Sequence, residues 1–523
     1  VSAAADPVWG REAPEWTLVA RNVMTRYAAI AVDGCIGLLL LPFNISHLGQ
    51  SAYGLWALTA SITFYFSVLD LGYGGALVKF VAQYRALRDR TALNEVLSTV
   101  FVVFTLVGLA TFGVTGLVAW QFGRVFNVQP DQLETGRRVL VLIGAFIAVR
   151  FSLSIFGGLV YGFQRYYLNN VISIGTSLVV AAVNVLVLQG GHDLVALVAA
   201  TTAVRLVALG GFAWTAYRVY PGLTVSPRLF SRARLKEVTG LSVYMLVLDW
   251  SAKLNYSADA LVIGAMMTTA AVAVWTVGQR LAEVSQQLTN QLNDALFPLV
   301  VDSDAGQRAD RLRLILRQGT RLSLALATPV CVGLIVMASP LVNAWVGSGY
   351  AGSAVVAQLL LVVVLVRVGN ATAASILKGA GRHRLLAGVN FGTAAANVLL
   401  SIALLPHLGL VGVALGTLLP VVLTAAFVLF PAACRRVGVG ASRAAFGAIW
   451  PAAWPAVVMA LLLWAGRALH PSSLPAVAGQ LIVAGLVYEL LFFGVAIPRE
   501  ERRYYWTKAV ELLSRGRRVP VAA

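Results

Sequence analysis

Acidic residues are scarce in this chain: its 523 residues hold 22 Asp and Glu against 40 Lys and Arg, and charged residues of both signs make up only 12%. Cys35, Cys331 and Cys434 are isolated in apolar surroundings, so neither a disulfide framework nor a metal site is indicated. The five histidines, His47, His192, His383, His407 and His470, fall at loops or span ends without ligand spacing. No Walker loop and no cluster of His, Asp and Glu ligands occurs, which argues against an ATP-driven pump built from this chain and leaves no cofactor to assign. The opening stretch VSAAADPVWGREAPEW lacks the basic region, short apolar core and cleavage site of a secretory signal, so the first helix is expected to stay in the mature chain.

What the sequence has in abundance is hydrocarbon. Hydrophobic residues make up 59%, and the mean hydropathy of +0.80 is that of a polytopic membrane protein. Apolar runs long enough to cross a core ~30 Å thick recur along the chain. They predict fourteen helices, near 22–46, 52–79, 96–122, 138–161, 168–189, 194–217, 241–265, 270–299, 319–345, 353–377, 385–406, 409–433, 447–466 and 475–497. The longest loop on the outer face, near Gly123 to Arg137, is short, which argues against a membrane-embedded glycosyltransferase or polymerase.

Twenty-nine of the 40 cations fall at the N-terminus, in alternate loops and in the C-terminal tail, as in Arg85, Arg88 and Arg90 or Arg228, Arg232, Arg234 and Lys236. The opposite loops hold four, Arg124, Arg137, Arg138 and Arg467, so the positive-inside rule places both termini in the cytoplasm. Topology thus explains most of the net charge of +18, and no nucleic-acid partner is needed. Seven cations remain. Lys79 and Arg321 lie near span ends and can snorkel. Arg150, Arg205, Lys253, Arg280 and Arg367 lie deep in their spans, together with the acids Asp33, Asp70, Asp249, Asp259, Glu283 and Glu489. A charge at mid-membrane costs at least ~2.5 kcal/mol, so each of these faces protein, a partner or water. Asp249 with Lys253 and Arg280 with Glu283 share helix faces, leaving local ion pairing and a substrate path as open readings.

A shift of 217 positions aligns VRFSLSIFGGLVYGFQRYYLNNVISIGT, from Val149, with VRVGNATAASILKGAGRHRLLAGVNFGT, from Val366, without a gap. Identities include Arg150 with Arg367, Gly162 with Gly379 and Arg165 with Arg382. Six spans separate the copies, so they share an orientation, and a parallel duplication follows. The expected fold is all-α and polytopic, with about fourteen transmembrane helices. Two parallel-repeat six-helix lobes surround a central cavity, and two further helices follow at the C-terminus. The segments are a cytoplasmic N-terminus (1–21), an N-lobe of helices 1–6 (22–217), a basic cytoplasmic linker (218–240), a C-lobe of helices 7–12 (241–433), helices 13–14 (447–497) and a basic interfacial tail (499–523). Symmetry puts Arg150 and Arg367 in equivalent places, where two guanidiniums are expected to form a clamp for phosphate or carboxylate, the alternative for Arg367 being a buried ion pair with an acid such as Asp249 or Asp33.

Several stretches resemble polysaccharide exporters. RNVMTRYAAIAVDGCIGLLLLPFNISHLGQSAYGLWALTASITFYFSVLDLGYGGALVKFVAQY in the first half, and AVAVWTVGQRLAEVSQQL, Phe297-Pro298 and ILKGAGRHR in the second, are similar to lipid-linked oligosaccharide flippases of the multidrug/oligosaccharidyl-lipid/polysaccharide export superfamily. The resemblance covers essentially the whole chain through diffuse motifs. It implies two six-helix bundles in a V around a cavity that opens alternately to each side, a transporter and not an enzyme. It also implies an undecaprenyl-diphosphate-linked glycan carried to the periplasmic leaflet of a bacterial inner membrane, with membrane lipids and a polysaccharide polymerase or glycosyltransferases as further partners. On that reading Arg150, Arg367, Arg205, Lys253 and Arg280 form the cationic binding surface. Asp33, Asp70, Asp249, Asp259 and Glu283 then serve H+ or Na+ coupling or ion pairing. The alternative is an ion-coupled multidrug extruder of the same superfamily, which prefers carboxylates in its cavity.

Other residues carry two readings each. Trp56 and Trp275 come at similar points of the two lobes and either stack on sugar or pack in the core. Spans thirteen and fourteen either line a groove for a lipid tail or pack on the bundle. Prolines such as Pro42, Pro329, Pro340 and Pro420 are expected to bend or end helices.

Overall fold

A computed structural model describes residues 15–66, 73–305, 308–469, 473–503 and 507; the side chains of 15, 16, 19, 66, 73, 241–257, 288–299, 301, 302, 304 and 305 are outside that description. Helices account for nearly all of it, and no strand occurs among the described residues. In order they are α1 (Glu15–Phe66), α2 (Tyr73–Ala86), α3 (Arg90–Trp120), the single turn α4 (Phe122–Val125), α5 (Pro130–Gly162), α6 (Tyr166–Gln189), α7 (Leu194–Val219) and α8 (Arg232–Met266). Then follow α9 (Thr269–Ala305), α10 (Ala309–Val346), α11 (Ala351–Gly379), α12 (His383–Leu408), α13 (Leu410–Thr424), α14 (Phe430–Val437), α15 (Ala441–Gly466) and α16 (Leu474–Leu491). Eleven described helices are long and apolar enough to cross a membrane, and the first of them covers the first expected span and the beginning of the second. The two separate as expected, at Gly49, whose φ of 79° and ψ of 164° break the helix.

Several helices run well past the spans expected from hydropathy. α10 has 38 residues, which at 1.5 Å per residue is about 57 Å against a core of ~30 Å. The excess lies at the end carrying the arginine-rich turns, here the basic end. Local signals fix the ends. The Asp89 and Asp193 carboxylates each accept a backbone N–H two to three residues into α3 and α7, at 2.9 Å, and Pro130 opens α5. Pro329 and Pro340 lie inside α10, and α13 passes into α14 through a π-helical segment, Ala425–Leu429.

The 217-position repeat is visible in the backbone. α5 ends at Gly162 and α11 at Gly379, and the next helices begin after Arg165 and Arg382. In the first copy Phe163 N donates to Leu159 O at 3.0 Å and Arg165 N to Val160 O at 3.1 Å. In the second Ala380 N donates to Ile376 O and Arg382 N to Leu377 O, both at 2.9 Å. The one left-handed residue falls at the same place, Gln164 (φ 61°) and Gly381 (φ 72°). This closure of orphan carbonyls is a common helix ending. Its identical register in both copies is what the duplication requires.

The chain divides into two compact units, Val1–Thr276 and Val277–Ala523. In the first, α8 and the start of α9 join the earlier helices through close contacts. A Cβ on Gly54 would collide with the Thr269 carbonyl, and one on Gly264 would meet Leu58. Ser51 and Thr269 share a hydroxyl hydrogen bond at 2.9 Å, and Asn127 N donates to Gly264 O at 3.0 Å. At the basic end, the link between α7 and α8 is tied to α3 by Asn94, Ser98 and Thr99. Arg234 there bridges Glu95, Glu237 and the Tyr84 hydroxyl, and burial with donation to Glu237 pushes the Tyr84 phenol up to about 12. In the second unit α16 packs on α10 and α15 around Met337, Met459 and Tyr488, whose hydroxyl donates to Ala452 O.

A left-handed backbone costs a residue with a Cβ about 1–2 kcal/mol, part of which the stiffer unfolded chain offsets. Gly381→Gln is therefore expected to lower stability by about 1 kcal/mol, read as a fall in melting temperature in detergent. Gln164→Gly should leave stability level or raise it. The opposite order would show that this turn is not strained.

Candidate functional site

Helical periodicity assembles a cavity of about 880 Å3 inside the first unit. α5 presents Ile143, Ile147, Arg150, Ser154 and Gly158 at steps of three and four, and α7 presents Val198, Thr201, Thr202 and Arg205 in the same way. Trp56, Ala60 and Phe64 of α1, with Gly74 and Val78 of α2, complete the wall. The space exists because small residues stand where helices meet: a Cβ on Gly158 would press on Leu77 at 2.8 Å, and one on Gly162 would run into Val81.

Two guanidiniums reach this space. Arg150 and Arg205 line it, are exposed to it, and make no hydrogen bond or ion pair among the described residues. They lie within electrostatic reach of each other, and Arg205 within reach of Asp33. Asp33 is exposed on α1 and accepts a 2.6 Å hydrogen bond from Ser177 of α6. The described lining includes no carboxylate. What it offers instead is aromatic faces, Trp56, Phe64, Phe146 and Tyr161, with the hydroxyls of Thr63, Ser154, Thr201 and Thr202. Unpaired guanidiniums, hydroxyls and rings suit an anionic group carrying polar, stackable substituents.

The other expected site residues are distributed differently. Arg280 pairs with Glu283 on α9 at 3.4 Å, and Gln279 donates to the same carboxylate at 2.8 Å. Asp259 is buried on α8 within electrostatic reach of Tyr65. Arg367 is half-buried on α11 in the second unit. Asp70 lies outside the described residues, as do the side chains of Asp249 and Lys253. The two tryptophans part company: Trp56 lines the cavity, and Trp275 is fully buried in the core. Arg321 does not snorkel. It is 6% exposed and bound to Glu501 at 2.6 Å, a partner 180 residues away that no local pattern reveals.

The second unit has a groove of about 770 Å3 with almost no polar lining. Leu324 and Thr328 of α10, Val366 and Gly369 of α11, and the π-helical Ala425 and Ala426 form one side. α15 forms the other with Ala445, Ile449, Ala453 and Ala456, whose short side chains leave the space open. α15 therefore lines a groove, while α16 packs behind it.

A bundle of this many apolar helices, hollowed by a cation-lined cavity, defines a multi-pass membrane transporter fold. The polysaccharide biosynthesis protein family matches residues 48–355, more than half of the chain, and the chain belongs to that family. The probable flippase AglR of Haloferax volcanii is 22% identical over 418 residues, 77% of this chain and 81% of that protein. The uncharacterized membrane protein EpsK of Bacillus subtilis is 26% identical over 152 residues, 28% of this chain and 30% of that one. Among solved structures, the lipid II flippase MurJ in an inward closed conformation matches with a TM-score of 0.71 at 13% identity, over 90% of this chain and 97% of that one. An inward-facing multidrug resistance transporter of the MATE family and MOP superfamily matches with a TM-score of 0.61 at 14% identity, over 80% and 98%. The fold is that of the superfamily the sequence resembles.

Two like charges within reach of each other, with only Asp33 near Arg205 to offset them, do little to stabilise a fold. Arg150→Ala and Arg205→Ala are each expected to leave the melting temperature level or higher. Arg321→Ala, which breaks a buried pair, is expected to cost about 3 kcal/mol. A large destabilisation by Arg205→Ala would show the residue to be structural.

Proposed function

We propose that this protein flips a lipid-linked oligosaccharide of the undecaprenyl-diphosphate type from the cytoplasmic to the periplasmic leaflet by alternating access, for cell-surface polysaccharide synthesis. The observation that carries the reading is the cavity of the first unit, with Arg150 and Arg205 free to meet a diphosphate and aromatic and hydroxyl groups beside them to meet sugar. Arg367, the repeat equivalent of Arg150, is proposed as a further cation of the path. Lys253 belongs to the same proposal by its depth in the sequence, whereas Arg280 already has Glu283 as a partner. The probable flippase AglR and lipid II flippase MurJ support the transport class. The excess of basic residues in alternate loops supports an inner-membrane protein with both termini in the cytoplasm. A polysaccharide polymerase or glycosyltransferases are proposed as neighbours, since a flipped glycan needs both a source and an acceptor.

The competing reading, an ion-coupled extruder of cationic drugs, is disfavoured by a described lining that carries cations and no carboxylate. In a strain that depends on this protein, Arg150→Ala, Arg367→Ala and the double mutant are expected to abolish surface polysaccharide and to accumulate lipid-linked precursor, with normal protein in the membrane. Normal export from the double mutant would overturn the site. Raised resistance to cationic dyes on overexpression, without a glycan phenotype, would favour the extruder.

Asp33 is the proposed point of coupling to an H+ or Na+ gradient. A cation held at Asp33 would take its charge away from Arg205 and so strengthen the pull of the cavity on an anion. Asp33→Asn is expected to flatten the pH dependence of flipping in proteoliposomes. An unchanged pH profile would exclude coupling at this residue.

A further inference from the structure

The end of the last described segment is held by an anion grip that the transport path does not use. Arg317 and Arg321, one turn apart on α10, both bind Glu501: Arg317 Nη2 at 3.3 Å from Oε1 and Arg321 Nη1 at 2.6 Å from Oε2. Arg321 Nη2 also donates to the Gly447 carbonyl of α15 at 2.6 Å. Arg321 is 6% exposed and Glu501 10%, while Arg317 is half-exposed at 50%. Arg321 Nε is buried with no partner. The grip thus holds two positive charges against one negative, and it keeps a donor that the carboxylate does not use.

Its surroundings set its depth. Arg317 and Arg321 bracket the point where hydropathy predicts the α10 span to begin, so they lie at the level of lipid headgroups. Phe446 and Trp450, on either side of Gly447, stack on each other with ring centroids 5.6 Å apart and are 66% and 54% exposed, as interfacial aromatics are. One turn further along α10, Leu324 opens the apolar groove, to which Ser442, Ala445 and Ile449 of α15 also belong. Cations at headgroup depth with an apolar groove running inward from them match the two ends of a lipid.

We propose that Arg317 and Arg321 form a binding site for an anionic membrane phospholipid, with Glu501 as its resident stand-in. The phosphodiester takes the place of the Glu501 carboxylate and an acyl chain enters the groove. A phosphodiester carries one negative charge, as Glu501 does, so the exchange leaves the charge of the site unchanged. A diphosphate brings a larger charge and does not make that one-for-one exchange. Besides two charged oxygens, as in the carboxylate, a phosphodiester has two ester oxygens, which offer the unpartnered Arg321 Nε a further acceptor. Ile497 stays buried against α10 and α15, so release of Glu501 frees only the residues that follow Ile497, and the lipid acts as a switch on that last attachment.

The test uses the full-length protein, purified and delipidated, with phosphatidylglycerol or phosphatidylcholine added back. Removing the Glu501 charge leaves Arg321 buried without a counter-ion. Glu501→Gln should therefore melt lower than the wild type in phosphatidylcholine and recover in phosphatidylglycerol, and it should retain severalfold more phosphatidylglycerol by native mass spectrometry. Arg317→Gln, at a half-exposed position that leaves Arg321 in place, should lose that preference in the Glu501→Gln background. A lower melting temperature with no recovery in phosphatidylglycerol and no change in retention would overturn the proposal and leave Glu501 a structural staple. Displacement of phosphatidylglycerol by equimolar undecaprenyl diphosphate would overturn it in favour of the transported lipid. Because lipid retention is read directly, the outcome is independent of whether the protein flips a glycan.

Discussion

Hydrocarbon offers a polar group nothing, and the whole structure follows from how each such group is provided for. Backbone groups are met by helices. Side-chain charges have three solutions here. Some are paired on their own helix, as Arg280 is with Glu283, and some across helices, as Arg321 is with Glu501. Asp33 is likewise met across helices, by the Ser177 hydroxyl. Arg150 and Arg205 have none of these and are tolerated because a cavity keeps them wet. The third solution needs empty space, and empty space in a bundle must be held open by packing elsewhere.

That packing depends on small residues. Where α5 crosses α2, Gly158 and Gly162 let Leu77 and Val81 come close, so the helices lock at the basic end while the larger residues of α5 are left facing the cavity. Gly108 of α3 meets the Ala148 backbone in the same way. Hydroxyls add directional links at little cost: Thr105 bonds both the Phe101 carbonyl and Ser152 across α3 and α5. In the second unit the same economy of size produces a different product. The alanines of α15 leave a groove, and without cations on its wall the groove is apolar.

Much of this was legible in the sequence because it rests on local or periodic signals. Helix positions follow from hydropathy, and the matching turns at Gln164 and Gly381 follow from an ungapped repeat that preserves the residues closing a helix. The pairing of Arg280 with Glu283 follows from a spacing of three. The failures are equally physical. Helices overrun their spans because a helix past the hydrocarbon is stabilised by partners that hydropathy does not count, as Arg234 is by Glu95. Arg321 reads as a snorkelling residue because its counter-ion is 180 residues away. Trp56 and Trp275 hold similar places in the repeat, yet their burial depends on neighbours from other helices, and only Trp56 reaches a cavity.

The repeat also explains why the two units bear opposite chemistry. The shift that relates Arg150 to Arg367 relates Arg205 to Val422. Arg205 lines the cavity of the first unit, and Val422 lines the apolar groove of the second. Thr201 and Thr202 correspond in the same way to Leu418 and Leu419. One copy of this helix face therefore presents hydroxyls and a guanidinium, and the other presents hydrocarbon. A duplicated bundle with two identical faces would offer a substrate the same environment twice. Divergence at this face gives the first unit a wall that can meet an anion and the second unit a wall that can meet only hydrocarbon.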